Sequence, residues 1–331
     1  MKVAIIGTGL QFKRRLSAID KKVDQLVGIC YFKKNIFKSN FVNVKSKIYD
    51  NWKKCIIDSK ADIIIVCTPP FLHKEIVSFA LNNKKHVLCE KPLTKNSKDA
   101  KYLFQLSSKK KKILKCGFNH RHHPAIILIH KLLKRKKDFG EILFARCVYG
   151  INGRDDYYKE WRANLKFAAG GQFIEQGIHV IDLYRWLIGD PISVSLVTSN
   201  IINKKQKLEE AGMAIFKFKN QATALMHTSL TQWENRFSLE IYGKNKYIEM
   251  SGLAGSYGPQ KIKYGVRKKT GPFEYKYYDF RSQDKSWVNE WLHFKNVIRG
   301  KEKLIGGAED AYKAMHIAEK AYLSEKLIKK I

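Results

Sequence analysis

The chain of 331 residues is long enough for one large or two medium domains, each with a core, and its 44% hydrophobic content fits a globular protein and excludes a disordered one. No apolar run reaches bilayer length and the N-terminus enters a strand without a signal peptide, so a cytoplasmic protein with no membrane partner is expected. A net charge of +33 attracts anions, yet the 63 Lys and Arg are scattered and form no nucleic-acid-binding motif, so solvated lysine-rich faces and no nucleic-acid partner are expected.

Lys2-Val3-Ala4-Ile5-Ile6 is an apolar run of strand length, followed by Gly7-Thr8-Gly9-Leu10-Gln11-Phe12 and a helical stretch with Leu16 and Ile19. A strand, a glycine turn and a helix N-terminus together make an anion site, because unpaired N–H groups and the helix dipole face the phosphate. Two glycines match the dinucleotide fingerprint, and Phe12 stands where the third is usual. A second strand, Gln25 to Cys30, should end in an acid that holds the ribose of NAD; it ends in Tyr31, then Phe32, Lys33 and Lys34. A 2′-phosphate is not repelled there, which leans toward NADP and leaves NAD open.

Apolar runs Asp62 to Cys67, His86 to Cys89 and Ile113 to Cys116 alternate with helical stretches near Phe71 to Leu81 and Ser97 to Leu106. This pattern predicts a parallel sheet covered on both faces, with ligands at the C-terminal strand ends. Those ends carry Thr68-Pro69-Pro70 with His73, then Glu90-Lys91-Pro92, then Gly117-Phe118-Asn119-His120-Arg121. Pro92 restricts the backbone of Lys91, and a lysine partly desolvated at such a place becomes a proton carrier. The six cysteines contain no CxxC pair and lie in strand-like runs, so reduced core residues are expected. His120, His122 and His123 lack the partners of a closed site, and no metal is expected.

Beyond Gly140 the pattern changes to strands over Ile142 to Tyr149, Ile192 to Thr198, Gly212 to Phe218, Ala222 to Ser229, Phe237 to Tyr242 and Tyr247 to Met250, with hairpin-like turns at Lys219-Asn220-Gln221 and Gly243-Lys244-Asn245. An antiparallel sheet is expected. A loop containing Arg154, Tyr157 and Tyr158 leads to Trp161 and Arg162, residue types suited to a phosphate or a polyhydroxy ring. Gly170-Gly171 then opens one helical pattern through Phe173, Ile174, Ile178, Ile181 and Leu187. On a single helix Glu175 and His179 share a face, so the carboxylate can orient the imidazole. Helices near Ser286 to Ile298 and Ala308 to Leu327 close the chain.

The early glycine turn, Thr68-Pro69-Pro70 with His73, Glu90-Lys91-Pro92, and Gly170-Gly171 leading to His179 occur in this order, and together they resemble the Gfo/Idh/MocA family of nicotinamide-dependent oxidoreductases over nearly the whole chain. The resemblance implies an α/β Rossmann domain over residues 1–118, followed over residues 119–331 by an α+β domain with a large, mostly antiparallel sheet whose C-terminal helix packs back on the first domain. It implies NAD or NADP held by Gly7, Thr8, Gly9, Leu10, Gln11, Phe12, Tyr31, Thr68, Pro69, Pro70, His73, Glu90, Lys91 and Asn119. It also implies a sugar, cyclitol or nucleotide-sugar substrate held by Lys91, Asn119, Arg121, Tyr157, Trp161, Arg162, Glu175 and His179, and a homo-oligomer formed through the second sheet. Lys91 matches the family lysine that hydrogen-bonds the reacting hydroxyl, and His179 its histidine partner, with Glu175 where Asp is common; which of Lys91 and His179 is the base stays open. Gly117 to Pro124 and Glu160 to Ala163 also resemble members associated with surface-polysaccharide or sugar-nucleotide pathways. The activity implied is hydride transfer between nicotinamide and a carbinol carbon, the alternative being a nucleotide-binding sensor or scaffold without turnover.

Overall fold

Every residue of Val3 to Ile6 and of Ile63 to Val66 is both apolar and buried, which a strand achieves only in a sheet covered on both faces. A computed structural model describes residues 1–20, 22–32, 46–153, 155–268, 270–281 and 283–327. Lys33, Lys34 and Arg154 lie outside the described residues. The chain divides into two compact units: Met1–Asn119 with Lys166–Ala169 and Trp287–Met315, and His120–Leu165 with Gly170–Ser286 and His316–Ile331.

The first unit holds six parallel strands: β1 (Lys2–Ile6), β2 (Gln25–Cys30), β3 (Lys47–Tyr49), β4 (Ile63–Val66), β5 (His86–Cys89) and β6 (Leu114–Cys116). Their order is β3-β2-β1-β4-β5-β6. The direction of winding therefore reverses between β1 and β4, and the carboxyl ends of those two strands flank the crevice where such sheets bind ligands. Val3, Ile5, Ile29, Ile63, Ile65 and Leu88 pack with Phe12 from the helix Leu10–Ala18 and with Trp291 and Phe294 from the helix Ser286–Ile298. That last helix is tied by its polar groups as well, since buried Asp24 Oδ2 accepts from Lys295 Nζ at 2.7 Å and from Trp291 Nε1 at 2.9 Å.

The second unit is built on eight strands in the order β14-β13-β12-β11-β7-β10-β9-β8. These are β7 (Ile142–Asn152), β8 (Pro191–Ser199), β9 (Ala211–Phe218), β10 (Thr223–Ser229), β11 (Thr231–Gly243), β12 (Lys246–Ser251), β13 (Gln260–Val266) and β14 (Glu274–Phe280). All neighbours run antiparallel except β7 and β10. A parallel pair needs a long crossover, and the chain between them supplies the helices that cover one face. Gly212 of β9 leaves room for Phe173, and Tyr184 donates to the Leu225 carbonyl at 2.5 Å. Residues of β8, β9 and β10 that face away from these helices leave Val197, Met213, Ile215 and Leu225 exposed on adjacent strands. Strands β3, β13 and β14 were not among the expected ones.

All six cysteines are buried thiols with no disulfide. Among the described residues no helix is long and apolar enough to cross a membrane.

Candidate active site

In the first unit the glycine turn stands where the winding reverses. Gly7 has φ +97, and a Cβ there would lie 2.8 Å from the Cys67 carbonyl carbon and 2.9 Å from Thr68 N, so the turn fits against the end of β4 only as glycine. Its N–H donates to the Cys30 carbonyl at 2.9 Å, fixing it to β2 as well. Gly9 differs: a Cβ there would meet nothing within 4 Å. The helix Leu10–Ala18 that starts at Gly9 has no acidic residue in its first turn and no side-chain cap. These features fit a dinucleotide diphosphate. Phe12 requires a correction, because its ring is fully buried in the sheet core and presents nothing to a ligand; it replaces the third glycine by pointing inward.

His73 is also reassigned. Its ring is fully buried, with Nε2 2.7 Å from the Thr68 carbonyl and Nδ1 3.0 Å from the Pro92 carbonyl. Both nitrogens thus face backbone carbonyls, and His73 ties the loop after β4 to the loop after β5. Burial, opposed by these carbonyls, lowers its pKa. Glu90 is buried as well, and its Oε1 accepts from Arg15 Nε at 2.6 Å. Arg15 Nη1 reaches Glu290 Oε2 at 2.5 Å. Burial opposes the charge on Arg15, yet the two carboxylates outweigh it and raise its pKa. Lys91 follows Glu90 directly, half-buried, and the Lys91-Pro92 peptide is cis. Tyr31, half-buried after β2, donates its N–H to the Tyr49 carbonyl at 3.1 Å, so the next residue on that neighbouring strand is an acid, Asp50. Thr8 and Thr68 are buried, Gln11 and Pro69 half-buried, Leu10 exposed and Pro70 buried. Asn119 is buried in a single turn, Asn119–His122.

In the second unit the expected single helix is two. Gln172–Glu175 and Gly177–Leu187 are separate helices joined at Gln176, whose φ of −99 and ψ of −45 turn the axis, and His179 N bonds to the Gln176 carbonyl at 3.2 Å. Gly177 permits this, since it packs 3.1 Å (by its would-be Cβ) from Met226 Cε on the sheet. Glu175 Oε1 accepts from Arg162 Nε at 3.2 Å, and Arg162 Nη1 donates to Glu160 Oε2 at 3.0 Å. Arg162 is therefore clamped between two carboxylates, which raise its pKa against the effect of burial, and its guanidinium carbon lies 4.5 Å from the Trp161 ring centroid. Tyr157 packs with Ala163 and Leu230, and its hydroxyl accepts from Gln172 Nε2 at 2.8 Å. Burial pushes the Tyr157 phenol up, with Glu175 adding to the effect.

Arg121, expected on substrate, spends its fork on Asp182 instead, through Nε to Oδ2 at 2.7 Å and Nη2 to Oδ1 at 2.5 Å. Both are almost wholly buried, so this bidentate pair fixes the His179 helix to the Asn119–His122 turn. His179 itself is buried with its ring centroid 3.9 Å from that of His120, and Tyr149 lies 5.0 Å from His120. His123 is 3.2 Å from Gln260 Nε2 and 3.7 Å from Asp284, and burial pushes its pKa down to about 4 against the pull of that carboxylate. Among the described residues no group of three or more His, Cys, Asp or Glu side chains is arranged to hold a metal.

A family model described as an oxidoreductase family with an NAD-binding Rossmann fold matches residues 1–118, and one described as the GFO/IDH/MocA C-terminal domain matches residues 129–249. The chain belongs to the Gfo/Idh/MocA family of oxidoreductases. Levoglucosan dehydrogenase of Pseudarthrobacter phenanthrenivorans is 30% identical over 157 residues, a match confined to 47% of this chain and 40% of that relative. Myo-inositol 2-dehydrogenase of Thermotoga maritima is 25% identical across 98% of this chain and 97% of its own. The solved structure of levoglucosan dehydrogenase in complex with NADH shares the fold, with a TM-score of 0.88 over 99% of this chain and 97% of that one at 19% identity. The Gfo/Idh/MocA chain thus carries an NAD-binding Rossmann domain.

Proposed function

We propose that the chain is an NAD(P)-dependent dehydrogenase or reductase acting at a carbinol carbon of a sugar, cyclitol or nucleotide sugar. The observation that carries this reading is Glu90-Lys91-Pro92, held by Arg15 and His73 at the carboxyl edge of the parallel sheet beside a glycine turn with open approach. When bound, the nicotinamide supplies hydride exchange with that carbon. Lys91 or His179 takes the hydroxyl proton in the oxidative direction and returns it in the reductive one. Arg162, held by Glu160 and Glu175, and Asn119 position the hydroxylated ring. The named relatives act on levoglucosan and myo-inositol, which supports a polyol or sugar.

Tyr31 in place of an acid favours NADP, whereas Asp50 beside it favours a free ribose hydroxyl and hence NAD. The exposed row Val197, Met213, Ile215 and Leu225 supports a homo-oligomer through the second sheet, in a cytoplasmic protein. Light scattering that shows only monomer at working concentration rejects that assembly.

The test begins with NADH and NADPH fluorescence titrations at low and high salt, whose ratio decides the cofactor. Turnover of myo-inositol, levoglucosan, glucose 6-phosphate and UDP-N-acetylglucosamine follows, in wild type and in Lys91→Met and His179→Ala. Loss of roughly 100-fold or more in kcat in at least one variant is the expected result. Salt-resistant nucleotide binding with no turnover on any of these polyols would point to the sensor reading; binding matched by unrelated polyphosphates would remove both.

A further inference from the structure

We propose that Arg15 is a positioning residue for Lys91, joining the helix that faces a dinucleotide diphosphate to the segment that supplies the proton carrier. The proposal rests on the role given to Lys91 above. Arg15 sits at 1% exposure on the helix Leu10–Ala18, its partners Glu90 and Glu290 at 5% and 0%. Its planar fork directs two N–H groups at two carboxylates, one of which belongs to the residue immediately before Lys91. Glu90 N donates to the Val66 carbonyl at 2.9 Å, so the sheet fixes the Glu90 backbone while Arg15 fixes its side chain. On the far side, His73 holds the Pro92 carbonyl at 3.0 Å. Lys91 therefore stands between two residues whose positions are set by other elements.

Gly117, at the end of β6, makes room for this arrangement. A Cβ there would lie 2.7 Å from Arg15 Nη2 and 3.1 Å from Glu90 Oε2. Lys115 Nζ, 4.0 Å from Glu290 Oε1, offsets the second carboxylate. Packing alone does not call for such a set. Taking these charges out of water is costly, and apolar side chains of the same volume commonly hold a fold as well. What the charged set supplies is a fixed direction for the backbone that carries the Lys91 amine.

The decisive proteins are Arg15→Met, the charge-free set Arg15→Met/Glu90→Gln/Glu290→Gln/Lys115→Met, and Arg15→Lys. The single change leaves buried carboxylates unpaired and is the one at risk of not folding; the charge-free set avoids that. Readouts are NADH affinity, kcat and KM, and acetylation of Lys91 measured on its peptide by mass spectrometry relative to exposed Lys98. In folded Arg15→Met we expect NADH affinity and KM within about threefold of wild type, and in both this variant and the charge-free set kcat lowered about tenfold or more and the Lys91 to Lys98 labelling ratio changed at least threefold, with partial restoration in Arg15→Lys. A folded charge-free variant with wild-type labelling and wild-type kcat overturns the proposal. Should the wild type turn over no polyol, the functional reading fails, while the labelling ratio still decides whether Arg15 positions Lys91.

Discussion

Gly7 and Gly9, two residues apart, should fail differently when a methyl is added. Gly7→Ala forces a side chain into a left-handed conformation against the Cys67 backbone, and a loss of about 1–3 kcal/mol in stability is expected by chemical denaturation. Gly9→Ala meets no protein atom, so its melting temperature should match wild type, while a methyl at the helix N-terminus weakens NADH or NADPH binding by about tenfold or more. Equal nucleotide affinity in Gly9→Ala would place the diphosphate elsewhere. The stretches Glu90-Lys91-Pro92 and Glu175 to His179 stand out in the sequence because a proline follows Lys91 and a glycine lies two positions before His179. Arg15 does not, since Arg14-Arg15 reads as one more surface pair in a chain of 63 cations, and its partners are 75 and 275 positions away. Arg121 misleads for the same reason, with Asp182 61 positions distant.

The two short helices around Gln176 depend on their neighbours more than on their own sequence. Gln172 N bonds to the Glu209 carbonyl at 3.0 Å and Phe173 N to Glu209 Oε1 at 3.1 Å, so Glu209 caps the first helix. Tyr322 donates to the same Oε1 at 2.6 Å. A Cβ at Gly171 would collide with the Glu209 backbone, and Gly171→Ala should cost about 1–3 kcal/mol and lower turnover by moving the segment that leads to His179. Thermal unfolding beside steady-state kinetics checks this, and an unperturbed melting temperature would show that the cap yields without cost. Gly177 within an otherwise helical pattern was the available signal for the break. At the other end, Asp24→Ala leaves Lys295 buried without its partner and should destabilise by about 3–5 kcal/mol, read from the urea midpoint. The central strands were readable because they alternate or are wholly apolar; β14, exposed or half-buried along its whole length, and three-residue β3 carry no buried stripe to read.

Across the molecule, burial pushes the pKa of His86, His123, His130 and His293 down to about 4, with nearby lysine or arginine charge adding to burial for all but His123. Their unfolded forms bind protons near pH 6.5, so between about 6.5 and 4 the unfolded chain holds more protons than the folded one. Stability is then complete above that window and is lost as pH falls through it. Denaturant unfolding at pH 7 and pH 5 should differ by several kcal/mol, with roughly three protons taken up on unfolding near pH 5. A flat profile would mean these rings are hydrated in solution.

The first sheet owes part of its core to Trp291 and Phe294, encoded far downstream of its last strand. During synthesis the six strands emerge with that patch of apolar surface bare, and at 5–20 residues per second about nine to thirty-six seconds pass before the covering helix leaves the ribosome. A fragment released after residue 118 should accordingly be captured by chaperones or cut by protease, and the full chain should resist both.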